Sequence, residues 1–234
     1  ENGANSSFVN QIVDEDVSPE LIAADPFEVL NFETQLHNQM VAKPNDIYQP
    51  ERPNSIGWDL RNFNNLQDFE HARSLFRMYD WVAKPIICGM TWQEKLAPVF
   101  SPNDTEKRVG YVAKASTQMV EVALKSASSW TVSAEERCNI LNKTADLYEK
   151  NSGEIFAALC REAGKTALDA VAEIREAVDF LRFYGSEAKR LADYPERGII
   201  TCISPWNFPL AIFTGQISAA LAAGNGVLAK PADP

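Results

Sequence analysis

Between Gly198 and Ala229 the hydrophobic period of the chain changes twice, and this restricts the fold more than anything else in it. Gly198-Ile-Ile-Thr-Cys-Ile203 is a short β-branched apolar run, the pattern of a buried parallel strand. Pro205 and Pro209 break it. Leu210 to Ala223 reads as a helix rich in small residues, with Gly224 as its stop and Asn225-Gly226 completing the turn. Val227-Leu-Ala229 begins a second buried strand. A strand, a helix and a strand in this order form a βαβ unit, which makes the two strands parallel. The fold class is therefore α/β.

Upstream the pattern is helical. Ser133-Ala-Glu-Glu136 is a capping box, and its helix runs to about Tyr148 with Ile140, Leu141, Ala145 and Leu147 or Tyr148 as the apolar face. Ser152 starts another helix, through Ile155 and Leu159, that ends near Gly164. From about Thr166 to Ala192, the residues Val171, Ile174, Val178, Leu181 and Tyr184 recur at helical spacing, so one stripe is buried. Thr117 to Trp130 predicts a further helix, and Val109, Tyr111 and Val112 a strand after the Ser-Pro-Asn-Asp turn cluster. Asn62 to Trp81 is helix-compatible. Lys43 to Ser55, carrying Pro44, Pro50 and Pro53, has no period and reads as linker or extended covering segment. The expected division is a short N-terminal piece at 1–25, a linker at 26–95 and a regular domain at 96–234. The first piece holds an Asn2-Gly3 turn and an apolar patch of Phe8, Val9, Ile12 and Val13.

The formal charge of −10 excludes nucleic-acid binding through this segment, because phosphate binding needs clustered Lys and Arg. It equally disfavours a basic patch on an anionic membrane. Cys88, Cys138, Cys160 and Cys202 form no C-x-x-C pair, and His37 and His71 are the only histidines. Neither a zinc site nor a disulfide framework is expected. The most apolar stretch, Phe208 to Ala223, falls short of the ~20 residues a bilayer requires. The chain begins at Glu1 without Met and ends at Pro234 directly after a strand-like run, so an internal piece of a longer polypeptide is expected.

Two segments can carry chemistry. Ile203-Ser-Pro-Trp-Asn-Phe-Pro-Leu210 lies where the first strand meets the helix, and open parallel sheets bind ligands at the carboxyl ends of their strands. Asn207 offers a neutral NH₂ donor able to face a developing oxyanion from a cavity at that rim. The competing reading is an Asn that only caps the helix. Lys230 and Asp233 follow the second strand and can share ribose hydroxyls, or form a solvated surface pair. There is no G-x-G-x-x-G, so an ordinary dinucleotide phosphate loop is absent. Gly164-Lys-Thr166 resembles the end of a phosphate-loop motif, but the earlier glycine falls at Leu159 and the segment joins two helices; a phosphate loop is rejected. Cys202, inside a buried strand, is expected to be inert.

Ile203 to Leu210 followed by Ala222-Ala-Gly-Asn-Gly-Val-Leu-Ala-Lys-Pro-Ala232 resembles the aldehyde dehydrogenase superfamily. Arg161-Glu-Ala-Gly-Lys-Thr166 and Glu173 to Tyr184 resemble the glutamate-semialdehyde dehydrogenase module of the bifunctional proline-utilization family. Glu1 to Asn10 resembles the end of that family's proline dehydrogenase barrel, and Asn54 to Leu60 is also similar. The resemblance implies the N-terminal part of an NAD-binding domain with the start of a Rossmann-like parallel sheet, preceded by a linker and a β/α-barrel tail. It implies NAD in this module, FAD in the parent's barrel, a small-molecule substrate and a homo-oligomeric parent. It places the parent in the cytoplasm and leaves peripheral membrane association open. It further implies Asn207 as the oxyanion donor and Phe208 as the lining of the aldehyde's aliphatic slot. Lys230 would hold the adenosine ribose, with Asp233 where the family more often has Glu. Ile203, Pro205 and Trp206 would flank the dinucleotide, and Glu176 would face the substrate pocket.

The family's nucleophilic Cys and general-base Glu lie downstream of the matching segments, and none of the four cysteines has the nucleophile's context. Two other readings stay open on sequence alone. One is a truncated dehydrogenase-like module used for binding or assembly. The other is a dehydrogenase for another semialdehyde.

Overall fold

A computed structural model of the chain describes residues 13–25, 27 and 41–233. The Asn2-Gly3 turn, the Phe8, Val9 and Ile12 patch and the first half of the expected barrel tail lie outside the described residues. Residues 1–42 and 43–234 are separate units. The first contains a short helix, α1 (Pro19–Ile22), whose N-cap Ser18 accepts a hydrogen bond from the Leu21 amide at 3.3 Å.

In the second unit the helices are α2 (Phe63–Ser74), α3 (Thr117–Ser126), α4 (Ala134–Lys150), α5 (Ser152–Arg161), α6 (Ala167–Arg190) and α7 (Ala211–Ala222). The strands are β1 (Trp81–Ala83), β2 (Ile86–Ile87), β3 (Met90–Thr91), β4 (Leu96–Ser101), β5 (Asp104–Ala113), β6 (Ile199–Ile203) and β7 (Gly226–Lys230). β6 and β7 pair in parallel with Ile203 opposite Lys230, as the βαβ pattern predicts. A three-stranded sheet of order β1-β5-β4 has β4 antiparallel and β1 parallel to β5. The Ser101-to-Asp104 turn thus joins a hairpin rather than merely preceding a strand.

The core lies among α4, α5 and α6. Ile174 and Val178 are fully buried, Val171 and Leu181 nearly so, and Tyr184 packs at the edge, which is the predicted α6 stripe. On α4 the buried line is Cys138, Leu141 and Ala145; of the other expected residues Ile140 and Leu147 are exposed, while Tyr148, the alternative to Leu147, packs against the core. The 3.6-residue period places Ile140 and Leu147 more than a third of a turn off the buried face. Phe156 packs between Phe69, tilted at 4.6 Å, and Trp58, edge-on at 5.1 Å. The small residues of α7 let it approach α6: a Cβ at Gly215 would sit 2.8 Å from the Phe180 ring.

Three expectations need correction. Asn62–Trp81 is not one helix: α2 ends at Ser74, because Arg161 collects the carbonyls of Phe76 and Tyr79 at 2.8 and 2.6 Å and Trp81 is drawn into β1. The helix expected to reach Trp130 ends at Ser126, because the Trp130 amide bonds the Gly224 carbonyl at 2.9 Å and the Ser128 carbonyl packs on Gly226. β6 is not buried on both faces, since Thr201 and Ile203 are exposed and only Cys202 is buried. α7 packs on β6 and β7, and among the described residues nothing covers the exposed residues of β6.

The Lys43–Ser55 run lies against the helices. Asp179 of α6 accepts from Arg52 at 3.1 Å, the Ser55 amide at 3.0 Å and the Ser55 hydroxyl at 2.8 Å. Buried Arg182 donates to the Asn54 carbonyl and to Asp146 and Glu149. Burial opposes the Arg182 charge, but the Glu149 and Asp146 bonds outweigh it and raise the guanidinium pKa overall. The expected covering segment is thus fastened by charge-assisted bonds that leave few orphan donors under it.

Candidate active site

The loop between β6 and α7 hangs from a buried carboxylate and a half-buried ammonium. Glu173 on α6 is 2% exposed, and its Oε2 accepts from the amides of Ala211 at 2.8 Å and Leu210 at 3.2 Å. A carboxylate therefore caps the first turn of α7, where free amides and the helix dipole favour negative charge. Its Oε1 lies 3.1 Å from Lys165 Nζ. The same ammonium donates to the Asn207 carbonyl at 2.6 Å and sits 4.7 Å from the centre of the Phe208 ring. Lys165 is aimed there by its own turn: Gly164 takes φ 64°, the Lys165 amide bonds the Leu159 carbonyl, and Thr166 caps α6 at the Asp169 amide. One cation thus joins a carboxylate, a carbonyl and an aromatic face.

This arrangement answers the capping question. Asn207 does not cap α7; Glu173 does. The Asn207 backbone is held by Lys165, while its side-chain amide has no hydrogen-bond partner among the described residues. The side chain is exposed, and it lines neither of the two main clefts. The expected cavity beside it is therefore not formed by the described residues. The sheet they contain has two strands here, which gives the rim one wall.

The residues expected to hold NAD fall on that rim. Ile203 and Trp206 are exposed, Pro205 is half-buried and Lys230 is exposed directly across from Ile203. The Ser204 amide bonds the Lys230 carbonyl at 3.1 Å, which keeps the two strand ends level. Asp233 does not pair with Lys230 but lies 3.2 Å from Lys114 across the surface. Trp206, Asn207 and Phe208 are brought together as one exposed tip; Glu176 stands on α6, exposed, one turn beyond Glu173. Burial, and then the charge of Glu173, raise the Glu176 carboxyl pKa. Lys230, exposed beside the open strand ends, is free to meet the hydroxyls of a ribose there. Two of the amides at the α7 N-terminus, those of Leu210 and Ala211, are taken by Glu173.

Behind the rim, Asn225 fastens the other end of the unit. Its Oδ1 accepts from the Arg197 and Gly198 amides at 2.7 and 3.1 Å, and its Nδ2 donates to the Ala220 carbonyl at 3.1 Å. A Cβ on Gly226 would fall 2.2 Å from the Ser128 carbonyl, so only glycine fits there. Cys202 is buried, and burial pushes its thiol pKa up, in line with an inert role.

A parallel βαβ unit with an uncommitted amide at its carboxyl rim and no glycine-rich loop is what the aldehyde dehydrogenase family profile matches over residues 90–234, and the chain belongs to the aldehyde dehydrogenase family. It is 41% identical to the bifunctional protein PutA of Escherichia coli (strain K12), over all of this chain and 19% of that protein. It is 37% identical to the 1-pyrroline-5-carboxylate dehydrogenase of Bacillus cereus (strain B4264), over 72% of this chain and 37% of that one. Among solved structures, proline utilization A from Bdellovibrio bacteriovorus superposes with a TM-score of 0.78 at 26% identity, over all of this chain and 26% of that one. A Thermus 1-pyrroline-5-carboxylate dehydrogenase with bound NAD gives 0.65 at 27% identity, over 85% of this chain and 40% of that one. The chain thus spans about a fifth of the length of the PutA relative.

Sequence reasoning missed Lys165 and Glu173. In the sequence, Lys165 stands out only within a rejected phosphate motif and a family-like segment, without a role of its own. The available signal was Glu173 itself, placed between Ala170, Ile174 and Ala177 in the buried stripe of α6. A carboxylate there requires a cation or amides facing it.

Proposed function

We propose that this chain forms one wall of the active site of a dehydrogenase that oxidises L-glutamate γ-semialdehyde, the ring-opened form of pyrroline-5-carboxylate, to glutamate with NAD. The observation that carries this reading is the state of Asn207: its backbone carbonyl is tied to Lys165 while its amide is left uncommitted at the carboxyl rim of a parallel sheet. When a nucleophile carried elsewhere in the polypeptide adds to the aldehyde, negative charge develops on the carbonyl oxygen. A fixed neutral amide donates to that oxygen without titrating. Phe208 lines the aliphatic part of the substrate, and Glu176 borders the same pocket. Lys230 holds the adenosine ribose, with Asp233 as second partner once it leaves Lys114. Ile203, Pro205 and Trp206 flank the dinucleotide by packing. NAD, when bound, accepts the hydride.

The whole-chain likeness to PutA supports a longer reading. Residues 1–25 are the tail of a proline dehydrogenase barrel whose FAD lies in the same polypeptide, 26–95 the connection and 96–234 the first part of the dehydrogenase domain. The remainder of that polypeptide supplies the nucleophile and general base, and the assembled enzyme is a cytoplasmic homo-oligomer. Among the described residues no helix is long and apolar enough to cross a membrane.

Asn207→Ala in the intact enzyme tests the donor role: kcat is expected to fall on the order of 10²-fold with melting temperature unchanged. Unaltered kcat removes the donor assignment. The substrate assignment fails if glutamate semialdehyde shows no advantage in kcat/KM over succinate semialdehyde.

A further inference from the structure

The Lys165–Glu173 pair makes three hydrogen bonds to the Asn207 loop and the start of α7, none of them to the Asn207 side chain. Lys165 Nζ takes the carbonyl of Asn207 itself, and Glu173 takes the amides three and four residues on. The ammonium also faces the Phe208 ring. The backbone on either side of the Phe208-Pro209 step is thereby referred to one ion pair, a half-buried Lys165 on the α5–α6 turn and a buried Glu173 on α6. A donor aimed at a transition-state oxygen loses its effect when it moves by a fraction of an ångström, because preorganisation is what makes it effective.

We propose that Lys165 and Glu173 are positioning residues for the reaction: they fix the direction of the Asn207 amide without touching substrate or cofactor. This rests on the reading of Asn207 as oxyanion donor. It accounts for a half-buried lysine that donates to a loop carbonyl and ion-pairs with a buried carboxylate rather than extending into solvent. It also accounts for a helix that borrows its cap from another helix instead of from its own N-cap residue, Leu210.

The test uses the intact enzyme and two variants. Lys165→Met with Glu173→Gln removes both charges, avoids stranding either one, and leaves an amide oxygen to accept from Leu210 and Ala211. Lys165→Arg keeps the charge but replaces a point donor with a planar fork that cannot meet carbonyl and ring in the same way. Both are expected to melt close to the parent and to bind NAD equally well by fluorescence titration. Both are expected to lose kcat by about 10-fold or more. The uncharged double variant introduced on Asn207→Ala is expected to give no further loss, because it acts through that side chain. If Asn207→Ala lowers kcat but the pair variants stay within twofold of the parent, the positioning role is overturned and the donor reading stands. If Asn207→Ala is silent, the donor reading fails first. If the loss adds fully on the Asn207→Ala background, or if both pair variants fail to fold, the pair serves stability and the proposal is overturned.

Discussion

Asn225→Ala isolates what one buried amide contributes to the βαβ unit. Its Oδ1 holds the Arg197 and Gly198 amides at 2.7 and 3.1 Å. The Ala220 carbonyl loses the Nδ2 bond but keeps a bond from the Asn225 backbone amide at 3.1 Å. Truncation therefore orphans two donors. Each would cost about 1–3 kcal/mol in a dry interior. A cleft of about 360 Å³ lined by Arg197, Ala223 and Asn225 lets water reach them, so the low end applies, near 2 kcal/mol in total. For a chain of 234 residues that lowers the melting temperature by about 4–8 °C. Scanning calorimetry measures the shift. Hydrogen exchange locates it: protection should be lost at Arg197, Gly198 and the start of β6, while the α4–α6 core keeps its own. A variant that melts within a degree of the parent, with those amides still protected, would show that the side chain does not hold the strand.

Phe156→Ala removes the ring between Phe69 and Trp58 and is expected to cost about 3–5 kcal/mol in urea denaturation; a loss below about 1 kcal/mol would mean that the aromatic cluster is not the core. Among the cysteines Cys88 is exposed, Cys138, Cys160 and Cys202 are buried, and burial raises the thiol pKa of Cys160 and Cys202. A disulfide reagent at pH 8 should therefore modify Cys88 at once and the others only on unfolding, as read by peptide mass mapping. Glu176 has a raised folded pKa, so its stabilising contribution belongs to the neutral form, is complete below the ordinary glutamate value of ~4.3 and is lost as pH rises through the folded value. Glu176→Gln is thus expected to melt above the parent at pH 7 and with it below about pH 4; a lower melting temperature at pH 7 would contradict the sign.

What could be read in advance was what Gly, Pro and period announce locally. The β6–α7–β7 order followed from Pro205, Pro209 and the Gly224-Asn-Gly turn, and α6 from its stripe. The short strand β1 could not be read, because its pairing with β5 lies almost thirty residues away and Trp81-Val-Ala carries no period of its own. The end of α3 at Ser126 was hidden for the same reason: Ser128 and Trp130 leave a helix-compatible run to pack on a turn nearly a hundred residues later. At the site, the rim residues were visible as types, but Lys114 as the partner of Asp233 and Lys165 as the anchor of Asn207 were not, since each pairing is made only by the fold.

The candidate site therefore divides by direction. Trp206, Asn207, Phe208 and Lys230 are exposed at the rim, whereas the groups that hold the backbone there, Glu173, Lys165 and Ser204, face inward and are buried or half-buried. Substitution of the outward group removes chemistry at small cost to the fold, because exposed side chains contribute little to stability. Substitution of the inward group leaves orphan donors or an unpaired charge. Lys165 and Glu173 belong to the second group by burial yet act on the first by contact. That is why their replacement as an uncharged pair, rather than singly, separates the two roles: it lifts the burial penalty while still releasing the Asn207 carbonyl.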